Sequence, residues 1–132
     1  MNKGSHMHSV GVDIIEIERV EDAFRRFGQR FLDRVYTKSE ILLCQGKGER
    51  LATRFAGKEA IMKVLGTGVK GVGWREIEIL AKPSGEPTVH LYGRARATAE
   101  RIGLDEFCIS LSHSREYAVA SAFAQTRATD AR

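Results

Sequence analysis

The chain has 132 residues, 42% hydrophobic and 29% charged, the profile of one soluble globular domain, with no apolar run long enough to span a bilayer. Lysine and arginine total 21 against 17 for aspartate and glutamate, a formal charge of +4. That mild excess suits an acidic partner or a phosphorylated ligand and is too weak for the basic stripe of a nucleic-acid binder. Cys44 and Cys108 show no CxxC spacing. They read as buried free thiols in a reducing cytoplasm. No secretory pattern opens the chain, and Gly4-Ser5-His6-Met7 reads as a cloning scar. Residues 1–7 are therefore set apart from a single domain over residues 8–132.

Residues 9–17 are predicted as a strand, in which Val10, Val12 and Ile14 alternate with Gly11 and Asp13. Residues 18–27 follow as a helix stopped by Gly28. Val20, Ala23, Phe24 and Phe27 share one face of it, and Arg19, Arg25 and Arg26 lie on the other. Thr37-Lys38-Ser39-Glu40 has the capping-box pattern, so a second helix starts near Lys38 and ends near Gly46 or Gly48. A longer helix runs over about residues 49–65, with Leu51, Phe55, Met62 and Leu65 close to one face. Gly66-Thr67-Gly68 ends it and opens a glycine-rich loop reaching Gly73.

The second half alternates with a period of two. Residues 74–82 read as a strand, the Pro83-Ser84-Gly85-Glu86-Pro87 run as a turn, and residues 88–91 as a short strand. Residues 92–102 form a helix, and residues 106–112 and 116–124 form two strands joined at Ser114-Arg115. Helices early and strands late predict an α+β fold, with helices packed on a largely antiparallel β-sheet.

Asp13 interrupts an apolar strand. A carboxylate there is costly to bury unless it is paired or bound to a cation, and a solvent-facing strand end is the alternative. Glu59 and Lys63, four residues apart, share a helix face. They read either as a surface ion pair or as part of a site. Ala56 and Ala60 beside Glu59 leave room for another backbone or a ligand, and the Gly-Thr-Gly loop suits close approach of a phosphate. One carboxylate from a strand and one from a helix could share Mg²⁺, which takes oxygen ligands and keeps sites for waters and substrate phosphates. Ser112-His113 lacks a nucleophile elbow, so His113 is read as a phosphate hydrogen-bond donor or a structural residue.

Four motifs stand in order: Gly11-Val12-Asp13-Ile14 with Ile17 and Arg19; Arg54-Phe55-Ala56-Gly57-Lys58-Glu59-Ala60 continuing to Lys63 and Leu65-Gly66-Thr67-Gly68; Gly85-Glu86-Pro87; and Ser110-Leu111-Ser112-His113 before Glu116-Tyr117-Ala118. Together they resemble the holo-[acyl-carrier-protein] synthase family, within the 4′-phosphopantetheinyl transferases. Gly57 departs from the family pattern, which usually has alanine there.

The resemblance implies transfer of 4′-phosphopantetheine from coenzyme A to a serine of apo acyl carrier protein, a step that serves fatty-acid and lipid metabolism. It implies Mg²⁺ on Asp13 and Glu59, and Lys63 on the phosphates. Glu59 or a metal-bound water would accept the serine proton. Arg54 and His113 would help bind coenzyme A, with Gly66, Thr67, Gly68, Gly85 and Pro87 shaping the nucleotide pocket. Arg19, Arg25 and Arg26 would face the acidic carrier, or else form a solvated basic face. The family's trimer, with active sites between subunits, would carry over. Two rivals differ in class: another phosphate-handling enzyme with the same Mg²⁺ pair, and a basic RNA-binding sheet. The second needs exposed strand aromatics, and Tyr92 and Phe107 make no such set.

Overall fold

The computed structural model describes residues 8–126. The cloning scar expected at residues 1–7 lies outside the described residues. The first half of the chain folds as β1 (His8–Glu16), α1 (Ile17–Phe27), α2 (Gln29–Val35), α3 (Lys38–Cys44), α4 (Gly48–Leu65) and a short α5 (Gly68–Gly71). A 3₁₀ turn (Trp74–Glu76) leads into β2 (Ile77–Ala81), β3 (Pro87–Leu91), α6 (Gly93–Ile102), β4 (Leu104–His113) and β5 (Tyr117–Thr126). The class is α+β, as the sequence implies. The strands divide into two antiparallel sheets rather than one: a three-stranded sheet ordered β1-β5-β4 and the β2-β3 hairpin.

Helix α4 is the axis of the molecule. It is buried on most of its circumference, including Ala52, Ala56, Gly57 and Ala60, which is why no single apolar stripe marks it in the sequence. The inner face of β5 presents Ala118, Ala120, Ala122 and Ala124, all fully buried with those helix alanines in the core. Small residues on both sides bring the helix close to the sheet. Gly57 belongs to the same logic: a Cβ there would stand 2.5 Å from Ile79 Cδ1. The glycine that departs from the family pattern thus makes room for a β2 isoleucine.

The other side of α4 is held by an ion pair that the sequence does not reveal. Lys58 and Glu40 are both fully buried, with Nζ donating to Glu40 Oε1 at 2.7 Å. Lys58 also donates to the carbonyls of Trp74, at 3.0 Å, and Ile77. Glu40 completes the capping box with Thr37 and accepts from Ile79 N at 2.7 Å. Burial disfavours the charged ammonium of Lys58 and lowers its pKa, while Glu40 acts in the opposite direction.

Three expectations are corrected, and Glu78, unremarked in the sequence, joins them as a buried carboxylate. Residues 74–76 form a 3₁₀ turn rather than strand, because Glu76 caps Gly73 N at 2.9 Å. Glu78 is buried, accepting from the hydroxyls of Thr37 at 2.6 Å and Tyr92 at 2.8 Å. Phe27 is exposed, since the chain turns at Gly28 (φ 57°) into α2 before α1 can bury its last turn. Cys44 is buried but Cys108 is exposed, facing away from α4, and both are free. Among the described residues, no helix is long and apolar enough to cross a membrane.

Candidate active site

The strand β1 alternates faces, so Val10, Val12 and Ile14 point to one side and Ser9, Gly11, Asp13 and Ile15 to the other, toward α4. This parity decides the question left open for Asp13. Its side chain is only 15% exposed and is held against the helix. Lys63, on α4, donates from Nζ to Val12 O at 2.7 Å and to Asp13 Oδ1 at 3.2 Å. Of the two readings open for Glu59 and Lys63, the surface pair gives way to a bridge from Lys63 to the strand, with Lys63 itself about half exposed.

Glu59 lies one turn before Lys63, and its carboxyl faces the same cavity as that of Asp13, near enough for the two to interact. Both carboxylates line a cavity of about 480 Å³, together with Arg19, Phe31 and Phe55. Burial raises the Glu59 pKa, and Asp13 raises it further, as a partner that the protonated form can bond and as a like charge. Lys63 and Arg19 offset part of this, leaving Glu59 pushed up to about 7. Asp13 Oδ2 is buried and has no hydrogen-bond partner. Two carboxylates from different elements, one with an orphaned oxygen and one held near neutrality, fit a small divalent cation that would take both. Among the described residues, no group of three or more His, Cys, Asp or Glu side chains is placed to hold a metal. The pair would therefore leave coordination sites for water and phosphate, as Mg²⁺ sites usually do.

The remaining expected residues separate into groups. Arg19 lies in the cavity wall. Arg25 is exposed and paired with Asp22, and the Arg26 guanidinium sits 5.5 Å over the Phe27 ring. Arg54 turns toward β2, with Nε reaching Ile79 O at 3.4 Å. His113 is exposed at the end of β4, in a separate groove of about 520 Å³ rich in glutamates. Gly66 (φ 74°) caps α4, followed by Thr67 and Gly68, while Gly85 (φ 96°) and Pro87 shape the β2-β3 turn. Within one chain, then, Asp13, Glu59, Lys63 and Arg19 come together, and Arg54, His113 and the glycine loops lie outside that wall.

One group escapes the sequence reading altogether. Helix α2, unassigned there, carries Arg30, Phe31 and Arg34 along a groove of about 420 Å³ that shares Ala23, Phe31 and Phe55 with the carboxylate cavity. Its floor is Phe55 stacked on Trp74 at 4.7 Å. The apolar spacing of Phe31, Leu32 and Val35 after Gly28 was the available signal.

Known proteins share this combination of fold and sequence. Residues 9–122 match the model of the 4′-phosphopantetheinyl transferase superfamily. The holo-[acyl-carrier-protein] synthase of Gloeobacter violaceus is 47% identical over 119 residues, covering 87% of this chain and 90% of that protein. That of Dehalococcoides mccartyi is 49% identical over 115 residues, covering 87% and 96%. Among solved structures, the Helicobacter pylori holo-[acyl-carrier-protein] synthase in complex with coenzyme A superposes with a TM-score of 0.80 at 32% identity, covering 87% of this chain and 98% of that one. The four ordered motifs, the paired carboxylates on β1 and α4 and these likenesses converge: the chain belongs to the holo-[acyl-carrier-protein] synthases of the 4′-phosphopantetheinyl transferase superfamily.

Proposed function

We infer that this chain transfers the 4′-phosphopantetheine group of coenzyme A to a serine hydroxyl of apo acyl carrier protein, releasing adenosine 3′,5′-bisphosphate. The observation that carries the mechanism is the meeting of Asp13 and Glu59 in one cavity, with Lys63 bridging to Asp13. We propose that the two carboxylates hold Mg²⁺. That ion would neutralise the pyrophosphate oxygens and polarise the phosphorus–oxygen bond that breaks. Lys63, about half exposed beside Asp13, would meet the phosphate charge that grows as the leaving group departs. We assign the serine proton to Glu59, whose carboxyl lines the cavity beside Asp13.

The carrier is an acidic protein, and the groove beside the cavity offers it Arg30 and Arg34 over an aromatic floor. We propose that it docks there, with Arg19 between groove and carboxylates. Arg25 and Arg26 then add to long-range steering rather than to contact.

We further propose a homotrimer. The open face of the β1-β5-β4 sheet carries Val10, Val12 and Ile14 at 61%, 52% and 60% exposure, with Tyr117 beside them. Such a patch on a small chain marks an interface. It lies on the strand that carries Asp13, one strand thickness away, so a neighbour packed there approaches the cavity. Arg54, His113, residues 66–68 and the Gly85–Pro87 turn would then serve coenzyme A bound between copies. Free cysteines at positions 44 and 108 fit the reducing cytoplasm, which is the compartment we propose.

The decisive experiment mixes the chain with apo acyl carrier protein, coenzyme A and Mg²⁺ and weighs the carrier by mass spectrometry. A mass gain of one phosphopantetheine is expected, lost with Asp13→Ala and Glu59→Ala. An unchanged carrier mass with the native chain refutes the function. Full rate in either variant at limiting Mg²⁺ refutes the metal assignment.

A further inference from the structure

The face of β1 that meets α4 has a graded set of contacts. Ser9 Oγ donates to Val64 O at 2.8 Å, near the C-terminal end of the helix. One pleat on, Gly11 is buried, and a Cβ built on it would stand 2.2 Å from Ala60 O and 3.0 Å from Lys63 Cβ. One more pleat brings Asp13 against Glu59 and Lys63. The atom that forbids a side chain at position 11 belongs to the helix backbone, so no rotamer change can relieve it. To regain ordinary contact the strand and helix must part by about 1 Å.

We propose that Gly11 is a positioning residue for the carboxylate pair. Its missing side chain sets the distance between β1 and α4, and so the span between Asp13 and Glu59, with Ser9 fixing the same strand lengthwise. The proposal rests on the reading that this pair holds Mg²⁺. Mg²⁺ demands near-ideal octahedral geometry with bonds of about 2.0–2.1 Å, whereas Ca²⁺ accepts about 2.3–2.6 Å in flexible arrangements. A pair set one methyl wider therefore loses Mg²⁺ more than it loses Ca²⁺. A purely structural glycine would weaken both alike, through the fold.

The same helix supplies a matched control. Gly57 faces the core, and its added Cβ would crowd Ile79 at 2.5 Å rather than β1. Mg²⁺ and Ca²⁺, each alone, are titrated into the native chain, Gly11→Ala, Gly57→Ala and Ser9→Ala by calorimetry, with circular dichroism reporting the fold. Gly11→Ala is expected to bind Mg²⁺ about 10–100-fold more weakly, with a smaller loss for Ca²⁺. Gly57→Ala is expected to keep both affinities within about twofold.

Native Mg²⁺ affinity in a folded Gly11→Ala, or equal losses for the two cations, overturns the proposal. So does an equal Mg²⁺ loss in Gly57→Ala. If Gly11→Ala does not fold, Ser9→Ala decides: the loss of one hydrogen bond is expected to weaken Mg²⁺ roughly two- to tenfold, and an unchanged affinity overturns the proposal. No cation binding by the native chain overturns the Mg²⁺ reading itself, and the proposal with it.

Discussion

Replacing Glu59 with glutamine separates what the carboxyl pair costs from what it does. In the folded chain the Glu59 carboxyl is pushed from an ordinary 4.5 to about 7. Its protonated form is favoured in the fold, so between those pH values the folded state holds more proton than the unfolded. The sign follows: the stabilising contribution is complete below about 4.5 and is lost as pH rises through about 7. At pH 8 the metal-free fold carries an ionised Glu59 beside Asp13. The group is half exposed, so solvent screening reduces the penalty to about 1 kcal/mol, roughly 4 °C in a domain of this size. The metal-free Glu59→Gln chain is therefore expected to melt about 4 °C above the native chain at pH 8, with little difference at pH 4.5, while losing carrier modification. In the native chain, roughly a tenth of Glu59 is ionised at pH 6 and nine tenths at pH 8. Apparent Mg²⁺ affinity by calorimetry should rise nearly tenfold over that interval. A Glu59→Gln chain that melts at or below the native temperature at pH 8, or an Mg²⁺ affinity flat from pH 6 to 8, refutes the assignment of a strained carboxyl pair.

Lys58→Met leaves Glu40 charged and buried; it should cost about 3–5 kcal/mol by urea denaturation, partly restored by adding Glu40→Gln, and an unchanged midpoint would refute a charged pair. Reversing Arg30 and Arg34 to glutamate should raise the Michaelis constant for the carrier and flatten its salt dependence while leaving that for coenzyme A unchanged; equal effects on both substrates would remove the groove from docking. Val12→Asp places a charge in the open sheet face, and sedimentation should show monomer where the native chain is expected to sediment as the proposed trimer. A trimer that survives the aspartate would place the interface elsewhere.

Local signals carried much of the architecture. The parity of residues 9–17, the capping box at Thr37 and Glu40 and the glycine stop after Leu65 each reappear within a residue or so in the structure, because each depends on neighbours in the chain. Asp13 stood out for a related reason, since a carboxylate in an apolar strand is locally anomalous, and Glu59 through its spacing from Lys63 and its place in an ordered motif. What the sequence withheld depends on packing between distant segments. Lysine at position 58 reads as surface, and only the convergence of α3, the 3₁₀ turn and β2 supplies its acceptors. Helix α2 is seven residues long and carries no capping side chain, so its pattern is too short to separate from a loop. Arg54 and His113 could be named but not located, since their distance from Asp13 is a property of the tertiary fold.

Lys58 and Glu59 are neighbours in the chain and opposites in circumstance. Successive residues on a helix point about 100° apart, so one side chain enters the core and the next enters the cavity. Lys58 has three donors, and all three find acceptors: a carboxylate and two carbonyls. Across the helix, Asp13 Oδ2 is buried with no partner, and the Glu59 carboxyl is pushed up by burial and then by that same aspartate. A fold able to saturate a buried lysine has the means to saturate a carboxylate as well. Orphaned buried polar atoms are rare in native structures and concentrate where a ligand completes them. The charge inside α4 is therefore finished by the protein, and in the function we propose a cation and the phosphates of coenzyme A would finish the charge on its other face.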